Sequence, residues 1–588
     1  MNKRSIACLL SVCLLLINCS PSAKKAEAED SGKRHIIANP LNLNYRFQFD
    51  EPSRREAADP VCEYFNGKYY LFASKSGGYW SSVDMADWSY IPCKTISNIE
   101  DYAPAILVHN NAIYYMGSGT PKIFKNENPD TDHWEEIDTK FRFQIVGNVD
   151  PAFFKDDDGK VYIYWGCSSR DPIIGVQVDP ENGFQVVNEA KILIEHNYQE
   201  YGWEVPGEEN EKNKPGYNEG PCMIKYNGKY YLQYAAPGTE FRVYGDGVYV
   251  ADSPLGPYTY EENSPFSFKP GGFIGGAGHG HTFLDKYGNY WHVATMKISV
   301  RHMFERRIGL FPTYLSENGR LYTHTLFTDY PFYVPDRKTD FETNDCSLSW
   351  NLLSRGKRAS ASSSLNGYEA EKAADEMIET WWSAGSGNSG EWWQIDLGKK
   401  MTVHAVQVNF ADHDFTVKAT DRPPVYQYYV EYSHDGKKWN RMTDRSDNEK
   451  DQVHELIIPD KPLAARYIKI INAGELDGKF SLYDLRVFGH GGGQAPAPVT
   501  EVAVDRDEDD RCRIHLDWPA VENATGYIVR WGVGEHELNS AEMVYTPTFK
   551  RRFFNRDTDY WFAVDAFNEN GVTGGADVYK AAVISADK

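Results

Sequence analysis

Residues 66–71, Asn66-Gly67-Lys68-Tyr69-Tyr70-Leu71, join a tight turn to an aromatic strand, and this pattern decides the fold because it recurs along the chain. Four further copies of the pattern occupy residues 110–115, 158–163, 227–232 and 287–292. Asn-Gly and Asp-Gly supply positive φ at little steric cost, which is the local signal of a β-hairpin. Each copy therefore predicts a turn followed by a strand.

The spacing of these copies predicts a β-propeller. Successive copies lie about 44 to 69 residues apart, which fits one four-stranded blade each with loops of different length. Five copies predict five blades over residues 36–340. Helical periodicity is nearly absent from this region, which disfavours an α/β barrel despite the suitable length. We predict an all-β chain: a five-bladed β-propeller followed by two β-sandwich domains.

Length and charge limit the classes of function. A chain of 588 residues is too long for one compact core and is expected to form several domains. The net charge of −22, from 84 acidic and 62 basic residues, gives no electrostatic footprint for phosphate backbones. Nucleic acid is therefore excluded as an expected partner. Aromatic residues make up 14% of the chain, which suits surfaces that stack on sugar rings, although β-strands use Tyr and Trp anyway.

The first residues have the pattern of an export signal. Lys3 and Arg4 precede an apolar run over residues 6–17, and Leu16-Ile17-Asn18-Cys19 resembles a bacterial lipobox with Cys19 as the lipidated residue. A dozen apolar residues are too few to span a bilayer as a helix. We expect residues 1–19 to be a lipoprotein signal peptide and residues 20–35 a tether. The protein would then be exported and anchored by lipid to a bacterial membrane, facing the periplasm or at the cell surface. The alternative is an ordinary signal peptide with an unmodified Cys19.

Three acidic residues stand just ahead of strands in different blades. They are Asp59 before Pro60, Asp150 before Pro151, and Glu219 before Gly220-Pro221. A propeller arranges its inner strands around one axis, so residues far apart in sequence can converge there. Glycoside hydrolysis needs two carboxyl groups that flank the scissile bond. The alternative for each acid taken alone is turn chemistry at a blade edge.

Residues 36–340 resemble glycoside hydrolase family 43 through these acidic motifs and the hairpins that follow them. The resemblance implies that Asp59 is the general base, that Glu219 is the general acid, and that Asp150 modulates the pKa of the acid and orients it. An inverting enzyme of this kind holds acid and base about 6.5–9.5 Å apart. The resemblance also implies an exo-acting hydrolase that releases terminal β-xylose or α-L-arabinofuranose from a polysaccharide or oligosaccharide. No cofactor is expected for the chemistry.

Other residues are predicted to bind the sugar. Gly276-Ala277-Gly278-His279 resembles the family's Gly-x-Gly-His segment, which implies that His279 lies near the axis, where it contacts sugar or helps to hold a cation or water. Trp80 and Trp203 are candidate sugar platforms, with packing inside a blade as the alternative for Trp80. The loop that contains Trp203 also carries Tyr198, Tyr201 and Tyr217 and is expected to form a wall of the pocket, with a disordered acidic loop as the alternative. Arg307 is the candidate arginine, with Arg301 and Arg306 as alternatives.

Two further modules are expected after the propeller. Residues 350–490 resemble a coagulation-factor 5/8 type C (discoidin) domain through Thr380-Trp381-Trp382-Ser383 and Trp392-Trp393-Gln394-Ile395-Asp396. The resemblance leaves two roles open, glycan binding and that of a spacer. It also implies structural calcium near Asp375. A Gly- and Pro-rich linker, residues 491–498, leads to residues 499–588. This last segment resembles a fibronectin type III sandwich through Trp518-Pro519 and Asp559-Tyr560-Trp561, and it is expected to be a spacer.

Three alternatives to this interpretation stay open on the sequence alone. The propeller could bind glycan without catalysis, as a glycan-binding lipoprotein. It could also be a polysaccharide lyase or a phosphorylase-like enzyme on a related fold, because fold alone does not fix the reaction. Within the hydrolase interpretation, a β-galactosidase type of specificity is the alternative to xylose or arabinofuranose.

Overall fold

The computed structural model describes residues 35–145 and 150–584. The described chain folds into β-strands and contains three short 3₁₀ helices, Pro180–Asn182, Gly202–Glu204 and Ala370–Ala373. Within those ranges there is no α-helix, and no helix is long and apolar enough to cross a membrane. The predicted signal peptide with Cys19, and the predicted tether except for its last residue, lie outside the described residues. The prediction of an all-β chain is confirmed.

Residues 61–323 form five antiparallel sheets that follow one another along the chain. The strands of the first two sheets are Val61–Phe65, Lys68–Phe72, Gly78–Ser82 and Ser89–Pro92, then Ala105–His109, Ala112–Met116, Phe124–Asn126 and Glu135–Glu136. The third sheet contains Ala152–Lys155, Val161–Trp165, Ile173–Asp179, Gln185–Val186 and Lys191–Ile194. The last two contain Glu219–Tyr226, Lys229–Ala236, Gly245–Ala251 and Thr259–Tyr260, then Gly275–Leu284, Tyr290–Lys297, Arg306–Leu315 and Leu321–Thr323.

The first strands of the five sheets form a closed ring. Each of these strands contacts the first strand of the next sheet, and that of the fifth sheet contacts that of the first. This is the arrangement of a five-bladed β-propeller with its inner strands around one axis, and the predicted fold class is confirmed. We number the blades I to V in chain order.

The hairpin turns have the backbone that their residues predict. Asn66 and Gly67 have φ of 47° and 88°, and Asn227 and Gly228 have φ of 48° and 78°. Two successive residues with positive φ match the type I′ turn, whose twist suits a two-residue hairpin. Glycine or asparagine is needed here because other L-residues pay a steric cost in this region.

A second backbone feature recurs at the start of the inner strands. Asp59, Ala103, Asp150 and Gly220 have φ between 43° and 57° and each precedes a proline, while His279 has φ of 47° at the matching place in blade V. Left-handed backbone at non-glycine residues costs about 1–2 kcal/mol per residue and persists where the surrounding structure imposes it. The four prolines that follow, Pro60, Pro104, Pro151 and Pro221, line a narrow cavity of about 30 Å³ together with Asp59 and His279. The same turn thus brings one residue of each of four blades to the axis.

Residues 351–490 form the second module. Its strands make one hydrogen-bonded network of nine: Asn351–Leu352, Arg358–Ala361, Trp382–Ser383, Trp392–Phe410, Tyr428–Ser433, Trp439–Arg445, His454–Ile457, Leu463–Asn472 and Ser481–His490. The long strand Trp392–Phe410 pairs with different neighbours in its two halves, with a register shift between Asp396 and Met401. It therefore passes from one layer to the other, which gives a β-sandwich.

The third module consists of two sheets on one core. A three-stranded sheet contains Ala503–Arg506, Ile514–Asp517 and Thr548–Arg551, and a five-stranded sheet contains Gly526–Gly532, Ser540–Val544, Tyr560–Asn568, Gly571–Thr573 and Tyr579–Ala581. Buried side chains of both sheets, such as Leu516 and Phe562, belong to one apolar cluster. The same cluster includes Trp203 and Tyr234 of the propeller, so this module packs directly on the propeller.

Buried ion pairs join the propeller to the second module. Arg55 Nε lies 2.8 Å from Asp412 Oδ2, and Arg55 Nη1 lies 2.8 Å from Asp451 Oδ1. Arg307 Nε lies 3.0 Å from His454 Nε2. Two short strand pairs complete the propeller beside this contact: His35–Ile37 with Phe332–Val334, and Arg46–Phe47 with Arg55–Glu56.

Candidate active site

The three predicted acids line one cavity on the propeller axis. The cavity has a volume of about 390 Å³ and is lined by Asp59 of blade I, Asp150 of blade III and Glu219 of blade IV, together with His279 of blade V. A volume in this range suits a small ligand. The side chains converge because each stands at or beside the left-handed residue that opens its inner strand.

Asp59 is held as a carboxylate by the groups around it. Arg306 Nη1 lies 3.0 Å from Asp59 Oδ1, and Ser74 Oγ donates a hydrogen bond of 2.6 Å to Asp59 Oδ2. The backbone N–H of Asp59 donates to Thr295 Oγ1 at 2.8 Å. Burial opposes ionisation, but the positive charges of Arg306 and His279 and the hydrogen bond from Ser74 outweigh it, so the pKa of Asp59 lies below its usual value.

Asp150 has the opposite environment. Burial raises the pKa of Asp150; His279 opposes the rise, and the negative charges of Glu219 and Asp59 add to it. Ser118 Oγ donates to Asp150 Oδ1 at 3.2 Å and accepts the backbone N–H of Asp150 at 2.7 Å. The side chain of Asp150 is therefore fixed in direction, and its carboxyl group resists ionisation, whereas that of Asp59 favours it.

His279 lies between two of the acids. Its Nδ1 lies 3.4 Å from Asp59 Oδ1 and 3.8 Å from Asp150 Oδ2. Burial lowers the pKa of His279, but the charges of Asp59, Asp150 and Glu219 outweigh burial and raise it. The imidazole therefore binds a proton more readily than a free histidine does, and in its protonated form it is a second cation of the cavity, beside Arg306.

Both oxygens of Glu219 are hydrogen-bonded. Tyr244 donates its hydroxyl hydrogen to Oε1, and the Cys167 thiol donates to Oε2 at 3.0 Å. Burial raises the pKa of Cys167, and the nearby charges of Asp150 and Glu219 raise it further, so the thiol stays protonated and acts as a donor. The two hydrogen bonds fix the direction of the Glu219 carboxyl group, and the thiol is the weaker of the two donors.

The glycine after Glu219 is required by close packing. A Cβ on Gly220 would lie 2.5 Å from Cδ2 of His279, and Gly220 has φ of 57°. A side chain at this position would displace the imidazole that contacts Asp59 and Asp150. The Glu-Gly-Pro motif therefore combines an acid, a left-handed residue and room for the histidine.

Two predicted sugar platforms lie elsewhere, which corrects the prediction for Trp80 and Trp203. Trp80 is 1% exposed, packs against Tyr90 and donates its indole N–H to Asn44. Trp203 is 0% exposed and donates to the hydroxyl of Tyr260. Both rings are buried in apolar packing, so neither presents a face to the cavity.

The arginine of the site is Arg306, which corrects the prediction of Arg307. Successive residues of a strand point to opposite sides, so Arg306 reaches Asp59 and Glu56 while Arg307 turns to His454 in the second module. Arg301 also contacts the second module, through the carbonyl of Ala411 and the hydroxyl of Tyr483. Both faces of the strand are buried, so no polar alternation in the sequence marks the side that faces the cavity.

Several site residues were not predicted from the sequence. Ser74, Ser118, Cys167 and Tyr244 contact the acids through side-chain hydrogen bonds. None of the four stands in a motif beside the acids. They follow second strands or precede third strands of their blades, so only their place relative to the axis could have revealed them.

Groups that could ligate a cation are few in the described ranges. Two sets of three ligating side chains occur there: His35, Asp84 and Asp87 near the surface, and Asp150, Cys167 and Glu219 in the cavity. In the second set the thiol is protonated and the carboxyl groups accept hydrogen bonds, and we assign no metal to it.

The loop at Asp375 is engaged within the protein. Asp375 accepts hydrogen bonds from Thr380 Oγ1 and the backbone N–H of Met377. The carboxylate of Glu376 is paired with Arg486, with Oε1 2.8 Å from Nε. Structural calcium at this loop therefore stays a prediction.

Two segments match known protein families. Residues 52–320 match the family described as glycosyl hydrolases family 43, and residues 358–484 match the F5/8 type C domain. The first covers the propeller blades with all three acids and His279. The second covers most of the second module.

Individual relatives match parts of the chain. The chain is 26% identical over 259 residues to the beta-D-galactofuranosidase xynD of Aspergillus niger, which spans 38% of this chain and 68% of that protein. It is 27% identical over 139 residues to a beta-xylosidase of Xylanibacter ruminicola, which spans 19% of this chain and only 40% of the relative. A solved structure titled glycoside hydrolase aligns with 20% identity and a TM-score of 0.43, over 76% of this chain and 99% of that one.

Proposed function

We propose that this glycosidase, whose residues 52–320 belong to glycosyl hydrolase family 43, removes terminal sugars from a glycan with inversion of configuration. One observation carries the proposal: carboxyl groups from blades I, III and IV line one axial cavity with two cations. Hydrolysis of a glycosidic bond needs an acid and a base on opposite sides of the sugar, and these groups supply both.

The roles follow from the surroundings of each carboxyl group. Asp59, kept ionised by Arg306, accepts a proton from water as the water oxygen bonds to the anomeric carbon. Glu219 gives its proton to the glycosidic oxygen as the bond between that oxygen and the anomeric carbon breaks. The products are a free sugar and a shortened glycan, and a proton passes from Asp59 to Glu219 through solvent before the next cycle.

The charge balance of the cavity explains how the general acid, Glu219, can remain protonated until it reacts. The three axial carboxyl groups lie beside two basic side chains, His279 and Arg306. Arg306 is also paired with Glu56, but Glu56 has a second partner in Arg54, so it adds no unpaired charge. Because Arg306 and His279 favour the ionised form of Asp59, the remaining proton belongs to the pair of Asp150 and Glu219. When Glu219 releases the proton, the pair gains a charge that Tyr244 and Cys167 can stabilise by hydrogen bonds.

The substrate we propose is a glycan that ends in β-xylose or α-L-arabinofuranose. The names of the matched relatives include xylosidase and galactofuranosidase activities, which supports a small terminal sugar and makes a galactofuranoside the alternative. A panel of aryl glycosides of xylose, arabinofuranose, galactose and galactofuranose would identify the sugar. Turnover of none of them, with intact folding, would contradict the proposal.

Inversion can be tested on the product before it equilibrates. Proton NMR within the first minutes of hydrolysis should show the anomer opposite to that of the substrate. Appearance of the same anomer would require a covalent intermediate and a closer carboxyl pair, and the role of Asp59 as base would then be wrong. Unsaturated or phosphorylated sugar products would point to the lyase or the phosphorylase.

We also propose that the protein is exported and lipid-anchored through Cys19. The basic start and the apolar run before Cys19 support this. Mass spectrometry of the mature protein from its native host should find a lipid-modified N-terminal cysteine. The variant C19A should be released from membranes, and an unmodified wild-type cysteine would overturn the proposal.

For the accessory modules we propose finer identities. The two packed sheets of residues 503–581 support a fibronectin type III module. For the F5/8 type C domain, glycan binding and a spacer role are separated by calorimetry of the whole protein, in its inactive Glu219→Gln form, with xylan and arabinan. Binding that survives when the axial cavity is filled by xylose would support the former role.

A further inference from the structure

The last module contacts a loop that leads into the active site. Residues 197–218 connect blade III to Glu219, and their first half lies between the propeller and the third module. The backbone N–H of Gly202 donates to the carbonyl of Phe554 at 3.1 Å, and the N–H of Arg556 donates to the carbonyl of Glu200 at 2.7 Å. Tyr201 and Asn555 form a β-bridge. Backbone hydrogen bonds of this kind fix the loop more strictly than side-chain packing alone.

Side chains of the third module extend this contact on both sides. The guanidinium of Arg552 donates to the carbonyl of Asn210 at 3.0 Å. The amide of Asn555 donates to the carbonyls of Glu262 and Ser264 and accepts from the hydroxyl of Tyr260. Tyr260 in turn stacks on Tyr201, with ring centres 3.7 Å apart. The module thus holds both the loop and the blade IV edge that the loop covers.

The loop continues from this contact to the cavity through tight packing. Glu204 is fully buried, and its carboxyl group accepts from Tyr234 and from the backbone N–H of Asn197, which closes the loop on itself. A Cβ on Gly216 would lie 2.6 Å from the carbonyl of Glu204. The segment held by the third module is therefore in direct contact with the residue before Tyr217.

Tyr217 lies at the end of this loop, two residues before Glu219. Its backbone N–H donates to the carbonyl of Pro237, and Asn218 pairs with Ser168 beside Cys167. Tyr217 lines the cavity and is 48% exposed. A half-exposed aromatic ring in the wall of a sugar site offers a face on which a sugar can stack.

We propose that the third module is a support for the active-site wall, which sets the place of Tyr217 and through it the binding of the sugar next to the scissile bond. This inference rests on the proposed glycosidase site and assigns it a specificity determinant, Tyr217. On this proposal the third module is a part of the catalytic unit, in place of the spacer role expected from the sequence. Tyr217 contacts substrate, whereas Gly202 and the third module act as positioning elements.

Gly202→Ala is the variant that tests the support. A Cβ there would lie 2.2 Å from the carbonyl of Arg552 and 2.6 Å from that of Phe554, so the loop must move away from the module. Gly574→Ala in the same module is the matched control, because its Cβ would have only one neighbour, at 3.9 Å. Both variants are made in the full chain, and thermal unfolding and hydrogen exchange of residues 197–218 are recorded for each.

The expected result is a change in substrate binding. Because a displacement of about 1 Å can lower activity by about 100-fold, we expect Gly202→Ala to raise KM for an oligosaccharide on the order of 10-fold, with faster exchange in the loop. Its kcat should change less. Tyr217→Ala should reproduce the rise in KM for the oligosaccharide without the change in exchange, and Tyr217→Phe should restore wild-type KM because it keeps the ring.

Three results would overturn the inference. In the first, Gly202→Ala has the same KM as Gly574→Ala although hydrogen exchange in residues 197–218 is faster. In the second, hydrogen exchange in residues 197–218 of Gly202→Ala is the same as in the wild type. Tyr217→Ala could also leave KM unchanged, which tests the inference even if Gly202→Ala does not fold. Failure of the proposed function is distinguishable, because Glu219→Gln would then keep wild-type turnover. If Glu219→Gln is inactive but Gly202→Ala and Tyr217→Ala keep the wild-type KM, the proposed function stands and only this inference is rejected.

Discussion

The axial cavity and the contact between the propeller and the second module are both buried clusters of basic and acidic side chains, but only the cavity has more carboxyl groups than basic groups. At the contact, Arg55 is paired with the carboxylates of Asp412 and Asp451, and the positive charge of Arg307 also acts on Asp451 while its Nε donates to His454. In the cavity, Arg306 and His279 lie among three carboxyl groups, those of Asp59, Asp150 and Glu219. Arg306 is also paired with Glu56, which has a second partner in Arg54.

The balance between cations and carboxyl groups distinguishes a structural cluster from a reactive one. Where cations and carboxylates balance, every charge is paired and the cluster holds two domains together. Where one carboxyl group is in excess, burial and like-charge repulsion keep one proton in the cluster. That proton is available to a leaving group, and we attribute the chemistry of the cavity to it.

The largest expected effect is the loss of the base. Asp59→Asn keeps the shape of the side chain and removes its ability to accept a proton from water, so kcat should fall by about 10²–10⁴-fold. Steady-state rates with a xyloside or arabinofuranoside measure this. Thermal unfolding serves as the control for folding. A variant that keeps more than half of the wild-type kcat would show that Asp59 is not the base.

Next in size is the loss of a structural cation. Arg55→Leu leaves Asp412 and Asp451 buried without their partner, and removal of one partner of a buried pair costs about 3–5 kcal/mol. Denaturant unfolding should show this loss of stability, while kcat of the folded enzyme at low temperature stays near that of the wild type. An equally large loss of kcat in folded protein would contradict the separation of the two clusters.

A smaller effect is expected when one carboxyl group is removed from the cavity, so that carboxyl groups and cations balance there as they do at the contact with the second module. Asp150→Asn leaves two cations and two carboxyl groups, so the acid releases its proton more readily. The alkaline limb of the pH profile of kcat/KM should move to lower pH by about one unit, the size of a neighbouring-charge effect. A limb that stays in place would show that Asp150 does not keep the proton in the cluster.

The smallest expected effect concerns the acid limb. Arg306 favours the ionised form of Asp59 and so lowers its pKa. Arg306→Gln removes that charge, the pKa of Asp59 should rise, and the acid limb of kcat/KM should move to higher pH. We expect a shift of under about one unit because Ser74 and His279 remain. A shift to lower pH would contradict this assignment of charges.

The sequence predicted the fold well because its signals are local. A turn such as Asn66-Gly67 is determined by its own residues, and five of them at blade spacing leave few alternatives. The acids could be predicted for the same reason, since Asp59, Asp150 and Glu219 each belong to a short motif at the start of an inner strand.

What could not be predicted depends on contacts between distant segments. Trp203 is an aromatic residue in an acidic loop, as a sugar platform would be, but it is buried against Tyr234 and Tyr260 of blade IV, and no local pattern indicates that. The choice between Arg306 and Arg307 depends on strand register, and the strand is buried on both sides. Cys167 and Tyr244 reach Glu219 only because the blades close around the axis.

The most direct test of the account is the dependence of Glu219→Gln on the leaving group. An acid matters most when the departing oxygen needs a proton, so kcat should fall by about 10²–10⁴-fold on an oligosaccharide and far less on a dinitrophenyl glycoside. That divergence is the result predicted here. An equal fall on both substrates, or wild-type turnover of the oligosaccharide, would show that Glu219 does not protonate the leaving group.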